Sequence, residues 1–163
     1  MDAVVVRRSV EADWERSRAI RLRALRDAPL AFASTYEREI AFLPEQWKAR
    51  IGDSAQFLAG NADGEVIGTA TGFTDPGEPG TVNLVAMFVV AEARRCGVGE
   101  QLVEAVVAQA RADGASRVRL HVVETNDGAA RLYARCGFVR TGVTEPLPHQ
   151  PSLLEHEMVL ALR

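Results

Sequence analysis

The sequence predicts a mixed α/β domain built around a single sheet, and three observations carry that reading. Strand-like and helix-like segments follow one another in the order β-α-α-β-β-β-α-β-α-β-β. The segment VNLVAMFVV (82–90) is a continuous apolar run but for Asn83, as a strand covered on both faces should be. Directly after it, ARRCGVGEQLVEA (93–105) sets two arginines and two glycines at the start of an amphipathic helix.

Each element has its own signal. AVVVRRSV (3–10) reads as a short strand. EADWERSRAIRLRALRDAP (11–29) reads as an amphipathic helix with Trp14, Ile20, Leu22 and Leu25 on its apolar positions and Pro29 as its stop. LAFASTYEREIAFLPEQWKARIG (30–52) is mixed and predicts a short helix from Pro44, which suits a first helical turn. AQFLAGNADGEVIGTATGF (55–73) is a hairpin signal around Asn61 to Gly64, and DPGEPGT (75–81) is a turn cluster. The helix after strand 82–90 runs from about Val98 to Asp113, with Val98, Leu102, Val106 and Ala110 at helical spacing and Gly114 closing it. RVRLHVV (117–123) is a strand, and NDGAARLYARCGF (126–138) is a short helix with Asn126 as N-cap and Gly137 as C-cap. VRTGVTE and LLEHEMVLAL are two final strands, expected to be separated by a proline-rich loop, PLPHQP (146–151).

Composition bounds the function. The 163 residues suit one domain, 1–163, long enough for a sizeable core. A net charge of −3 argues against a sequence-independent nucleic-acid footprint, so no nucleic-acid partner is expected. No window has the apolar length of a membrane span, and the N-terminal apolar run is too short for a signal peptide, so no membrane partner is expected either. Cys96 and Cys136 do not make a disulfide framework, and a cytoplasmic setting is the expectation. The three histidines lack ligand spacing, so no metal is predicted. Lys48 is the only lysine, and the many arginines supply planar donors for phosphate or carboxylate.

The glycine junction at 94–99 has two readings. The first amides of a helix lack intrahelical partners and lie at the positive end of its dipole, so phosphate oxygens suit them. Gly97 and Gly99 leave the backbone open to a bulky anion, and Arg94 and Arg95 add charge-assisted donors. Equally, strand-to-helix turns use glycine for conformation alone, and surface arginines are commonly just solvated. No Gly-Lys-Ser/Thr follows, which excludes a P-loop, and Leu102 stands where a dinucleotide fingerprint needs its third glycine.

FVVAEARRCGVG (88–99) resembles motif A of the GCN5-related N-acetyltransferases (GNAT), in which a Gln/Arg-x-x-Gly-x-Gly/Ala loop wraps the pyrophosphate of acetyl-CoA. Arg94, Gly97 and Gly99 match; Ala91 stands where proline is common and Arg95 where glycine is common. NDGAARLYARCGF resembles motif B at Asn126, Ala129, Leu132, Tyr133, Gly137 and Phe138. The resemblance implies the GNAT fold: a mixed, mostly antiparallel sheet with a splayed parallel strand pair, flanked by about four helices. It implies acetyl-CoA as acyl-donor cosubstrate, an amine acceptor, and a homodimer as in many members. Cofactor contacts are implied at Met87, Phe88 and Val89, where the pantetheine arm adds like a strand, at Arg94, Arg95, Cys96, Gly97, Val98 and Gly99, and at Asn126, Ala129 and Tyr133. A bulge in the first splayed strand would open the sheet.

The implied reaction carries acetyl from a thioester to a primary amine. An amide near Met87 to Val89 can meet the oxyanion. Tyr133 matches the family tyrosine that faces the leaving sulfur, and a phenol of pKa about 10 is neutral at working pH. The base is open. Many members carry a glutamate early in the strand before motif A, where this chain has Thr81-Val82-Asn83. Glu37, Glu39, His121 and Glu124 are candidates, with Glu39 and His121 ranked first and a water chain as an alternative. Phe32, Tyr36, Phe42 and Trp47, beside Glu37, Glu39 and Glu45, offer an aromatic wall for a cationic acceptor, or else they cover the sheet. Two other functions stay in view: a non-catalytic acyl-CoA-binding regulatory module, suggested by the missing glutamate, and a protein that holds another nucleotide on the glycine loop.

Overall fold

A computed structural model describes residues 3–162. Seven strands form one sheet: β1 (Val5–Arg8), β2 (Ala55–Gly60), β3 (Val66–Thr74), β4 (Thr81–Val89), β5 (Arg117–Val123), β6 (Val139–Leu147) and β7 (Gln150–Ala161). The helices are α1 (Trp14–Asp27), α2 (Tyr36–Glu39), α3 (Pro44–Gly52), α4 (Val98–Ala112) and α5 (Asp127–Arg135). The unanticipated one is α2, a single turn capped by Thr35, whose Oγ1 accepts from the Arg38 amide at 3.3 Å. One turn is too short to leave a periodic signal.

The strand order is β1-β2-β3-β4-β5-β7-β6. Every neighbouring pair is antiparallel except β4 and β5, as expected. Each face of the sheet carries its own core. Leu102, Val103 and Val106 of α4 pack with Phe57, Leu84, Val118 and Leu120 on one face. Ile20, Ala24 and Leu25 of α1 pack with Phe32, Leu58, Phe88 and Val90 on the other. Phe57 and Leu58 enter opposite cores because successive strand side chains point to opposite faces. Burial on both faces at 82–84 and 88–90 is why strand 82–90 reads as a nearly unbroken apolar run.

One expectation is corrected. PLPHQP is not a loop between the last strands; only Pro148 and His149 lie outside them. Pro146 sits in β6, the edge strand, and Pro151 lies in β7 beyond the stretch that pairs with β5. Neither position needs the missing N–H, so proline fits inside the hairpin.

Candidate active site

The site begins with a break in the alternation of β4. Thr71 pairs with Val85 but Thr69 pairs with Phe88, so β4 holds one extra residue against β3. Ala86, inside that extra stretch, has φ +56°. The extra residue reverses side-chain parity: Val82 and Leu84 face the α4 core, whereas Phe88 and Val90 face the α1 core. It also turns β4 from its parallel neighbour. The two strands pair only at Thr81–Arg117, Val82–Val118 and Asn83–Arg119.

That paired end is pinned by side chains. Arg117 Nε donates to Thr81 Oγ1 at 2.8 Å, Arg119 Nε donates to Asn83 Oδ1 at 3.0 Å, and Glu78 accepts from both arginines. Asn83 therefore holds the apex of the splay, in the stretch where many family members carry a carboxylate. Beyond it, the edges Leu84–Val89 and His121–Val123 diverge and bound a cavity of about 700 Å³. A volume of that order suits a drug-sized or larger ligand.

The start of α4 borders this cavity. Its first intrahelical bond is Gln101 N–H to Gly97 O at 3.1 Å, so the amides of Val98, Gly99 and Glu100 have no acceptor within the helix. The two glycines have separate causes. Gly97 has φ +80° with open space where a Cβ would lie, so backbone conformation selects it. At Gly99 a Cβ would stand 2.9 Å from Leu132 Cδ2 and 3.3 Å from Met87 Cε, so close packing of α4 against α5 and β4 selects it. Arg95 takes φ +63° although it is not glycine. Arg94 Nε donates to Val89 O at 2.9 Å, so this side chain also clamps the loop to β4. Val98 buries its side chain, and Cys96 is half-buried with Sγ 3.5 Å from Arg94 O; neither side chain lines the cavity. Arg131 and Arg135 of α5 line it, although nothing in the sequence singled them out. Arg135 pairs with Glu100 at 2.8 Å.

The α5 wall contributes Asn126, Ala129 and Tyr133. Asn126 Oδ1 accepts from the Ala129 amide at 3.2 Å, capping α5 and leaving Nδ2 as the side chain's donor. Tyr133 is buried and edge-on to Phe138, with ring centroids 6.0 Å apart. Burial pushes its phenol above the ordinary tyrosine range, which keeps it protonated. His121 lies on the β5 wall, 28% exposed.

Glu39 is corrected as a base candidate. It lies outside the cavity wall with no solvent exposure. Arg21 of α1 grips it in two bonds of 3.0 Å, and Arg50 of α3 adds one of 2.8 Å. Burial works to raise its pKa, but these bonds outweigh burial and hold it at about 2. It is a structural anion that ties three helices. Glu37 and Glu124 are exposed and outside the wall as well. Of the proposed aromatic wall, only Phe32 faces the cavity. Phe42 and Trp47 already carry the guanidinium of Arg50, at 4.9 and 5.1 Å, and Arg21 lies 5.0 Å from the Phe32 ring. The cations this aromatic cluster holds are the protein's own arginines.

Comparison with known proteins agrees with this geometry. The model of the acetyltransferase (GNAT) family matches residues 19–138. A GCN5-related N-acetyltransferase from Kribbella flavida is 28% identical, with 98% of each chain covered and a TM-score of 0.78. YncA of Salmonella typhimurium, solved with its cofactor acetyl-CoA, is 19% identical with a TM-score of 0.82, covering 99% of this chain and 95% of its own. NAA60 of Arabidopsis thaliana, in complex with a bisubstrate analogue, is 22% identical with a TM-score of 0.74 and 98% of each chain covered. No curated protein matches the sequence.

Proposed function

Because this chain belongs to the GNAT acetyltransferase family, we propose that it is an acetyl-CoA-dependent N-acetyltransferase acting on a primary amine by direct attack in a ternary complex. One observation carries the reading: a single cavity joins the α4 N-terminus, the unpaired edge of β4 and Tyr133. The donor set fits acetyl-CoA. The free amides of Val98, Gly99 and Glu100, with Arg95 beside them, receive the diphosphate. The β4 edge from Met87 to Val89 receives the pantetheine amides as an added strand, and Asn126 Nδ2 donates from across the gap.

The chain's residues then divide the chemistry. His121 takes the proton of the attacking amine, whose ordinary pKa near 10 leaves it mostly protonated. As the C–N bond forms, an amide of the Met87–Val89 segment donates to the oxyanion. As the C–S bond breaks, the Tyr133 hydroxyl gives its proton to the thiolate; the second proton, lost from the nitrogen as the amide forms, returns to the tyrosinate through solvent, and His121 releases the first to bulk water.

Thiol release from acetyl-CoA across a panel of aliphatic amines, amino acids, aminoglycosides and short peptides tests this. Tyr133→Phe is expected to lower kcat by roughly 10²- to 10⁴-fold while CoA still raises the melting temperature. Unchanged turnover in that variant sinks the acid role. A second reading, a non-catalytic acyl-CoA-binding module, is favoured by Asn83 being committed to Arg119 where a carboxylate is common. It predicts CoA stabilisation with no thiol release for any amine in the panel.

A further inference from the structure

His121 has a partner that its sequence position does not reveal. In the antiparallel pairing of β5 with β7, it stands directly opposite Glu157. The ring nitrogen Nε2 lies 3.9 Å from Glu157 Oε2, and the two side chains are 28% and 14% exposed. That separation is too long for a hydrogen bond and short enough for an ion pair once the ring carries a proton.

The carboxylate is itself held. Its Oε1 accepts from Thr141 Oγ1 at 2.8 Å. Thr141 reaches it through a break in the ladder: Arg140 pairs with Met158 and Thr144 with His156, so β6 spans four steps against two on β7. Gly142, at φ +91°, lies in this excess stretch. The Val143 amide donates to Thr141 Oγ1 at 3.2 Å and fixes the hydroxyl in place. Three strands thus converge on one imidazole that borders the cavity.

We infer that Glu157 is a positioning residue for His121: anchored by Thr141, it orients the imidazole and stabilises the positive charge formed there when the amine's proton is taken. This rests on the assignment of His121 as base in the proposed reaction. The proton passes from the amine nitrogen to the ring and is not handed on to the carboxylate. Other charges lie around the pair. Glu155 lies two residues along β7, Glu145 pairs with Glu155 from β6, His149 sits in the β6–β7 turn, and Arg119 lies two residues along β5 with its guanidinium on Glu78. Only Glu157 stands opposite His121.

The test uses the full chain with the fastest amine of the panel, and follows the imidazole nitrogens by ¹⁵N NMR, with signals identified through His121→Gln. Glu157→Gln keeps an oxygen for Thr141 but removes the charge. It is expected to lower kcat about tenfold with KM for acetyl-CoA unchanged, to alter the pH profile of kcat, and to move the His121 ring signals. Thr141→Val is expected to change all three in the same sense, by less. Glu155→Gln removes an equal charge from the neighbouring position, which also feels His121, and is expected to move the ring signals by much less than Glu157→Gln. Wild-type kcat and ring signals in Glu157→Gln, with turnover lost in His121→Gln, overturn this inference alone. Equal displacement of the ring signals by Glu155→Gln overturns it too, because a diffuse field then replaces a specific contact. Full turnover in His121→Gln overturns the base assignment and removes the role of Glu157 with it.

Discussion

The two sides of the cavity are built by different means. The side assigned to the acyl donor is made of backbone: the free amides at 98–100, the unpaired edge of β4, and a left-handed turn at Gly97. On the opposite side residues 28–32 line the cavity, and behind them α1, α2 and α3 are tied by side-chain pairs: Glu39 with Arg21 and Arg50, Arg21 over Phe32, and His149 Nε2 bonded to Phe32 O at 2.7 Å. Backbone donors survive most substitutions, whereas a side-chain network must keep every member.

The sharpest way to break the comparison is to remove the anion at the centre of the side-chain network. Glu39→Ala leaves two guanidinium groups facing a buried gap. Breaking a buried pair in this way costs about 3–5 kcal/mol, or a melting-point loss on the order of 10 °C in a domain of this size. Calorimetry checks it, and a loss below about 2 °C shows that solvent replaces the carboxylate at no cost.

A pH titration sharpens the same point. The Arg7 bond, opposed by burial and helped by the Val10 amide, holds Asp13 at about 2, and Glu39 is held at about 2 as described. Both folded values lie below the unfolded ones, so their stabilisation is full above about pH 4.5 and is lost as pH falls toward 2. Urea melts are expected to show stability declining by about 3 kcal/mol over that window through Glu39. Glu39→Gln should flatten the decline; a slope equal to that of wild type assigns the acid sensitivity elsewhere.

How much was legible in the sequence follows the same division. Gly97, Gly99, Asn126 and Tyr133 stand out because a turn, a close contact, a cap and a motif offset each constrain residue type locally. The role of Glu39 was not legible, since its partners lie 18 and 11 residues away and no local pattern marks them. Glu157 was invisible for a related reason: only strand register sets it opposite His121. The bulge in this strand was anticipated only through the family resemblance; at Ala86 it leaves no turn residue behind, so within VNLVAMFVV itself the reversal of parity looked like one continuous buried strand. PLPHQP misled because prolines signal loops, while an edge strand tolerates them.

On the donor side the backbone itself must be changed to do harm. Gly97→Ala forces a Cβ into φ +80°, which costs about 1–2 kcal/mol although no atom obstructs it. A melting-point loss of about 2–8 °C is expected, together with weaker stabilisation by CoA as the turn relaxes. An unchanged melting point shows that the loop has an alternative conformation of equal energy.

The smallest effect is the most discriminating. Arg95 sits at φ +63°, where glycine relieves strain in the folded chain but adds freedom to the unfolded one. These contributions are each about 1 kcal/mol and opposite in sign, so Arg95→Gly should leave the melting point within about 2 °C of wild type. What it removes is one exposed cation beside the α4 amides. If backbone donors carry the diphosphate, affinity for acetyl-CoA falls only about two- to fivefold, the scale of an exposed ion pair, and the difference fades as salt is raised. A loss beyond about fiftyfold that persists at high salt shows instead that the guanidinium makes a desolvated contact. The donor side would then depend on a side chain as the acceptor side does, and the contrast between the two walls would fall.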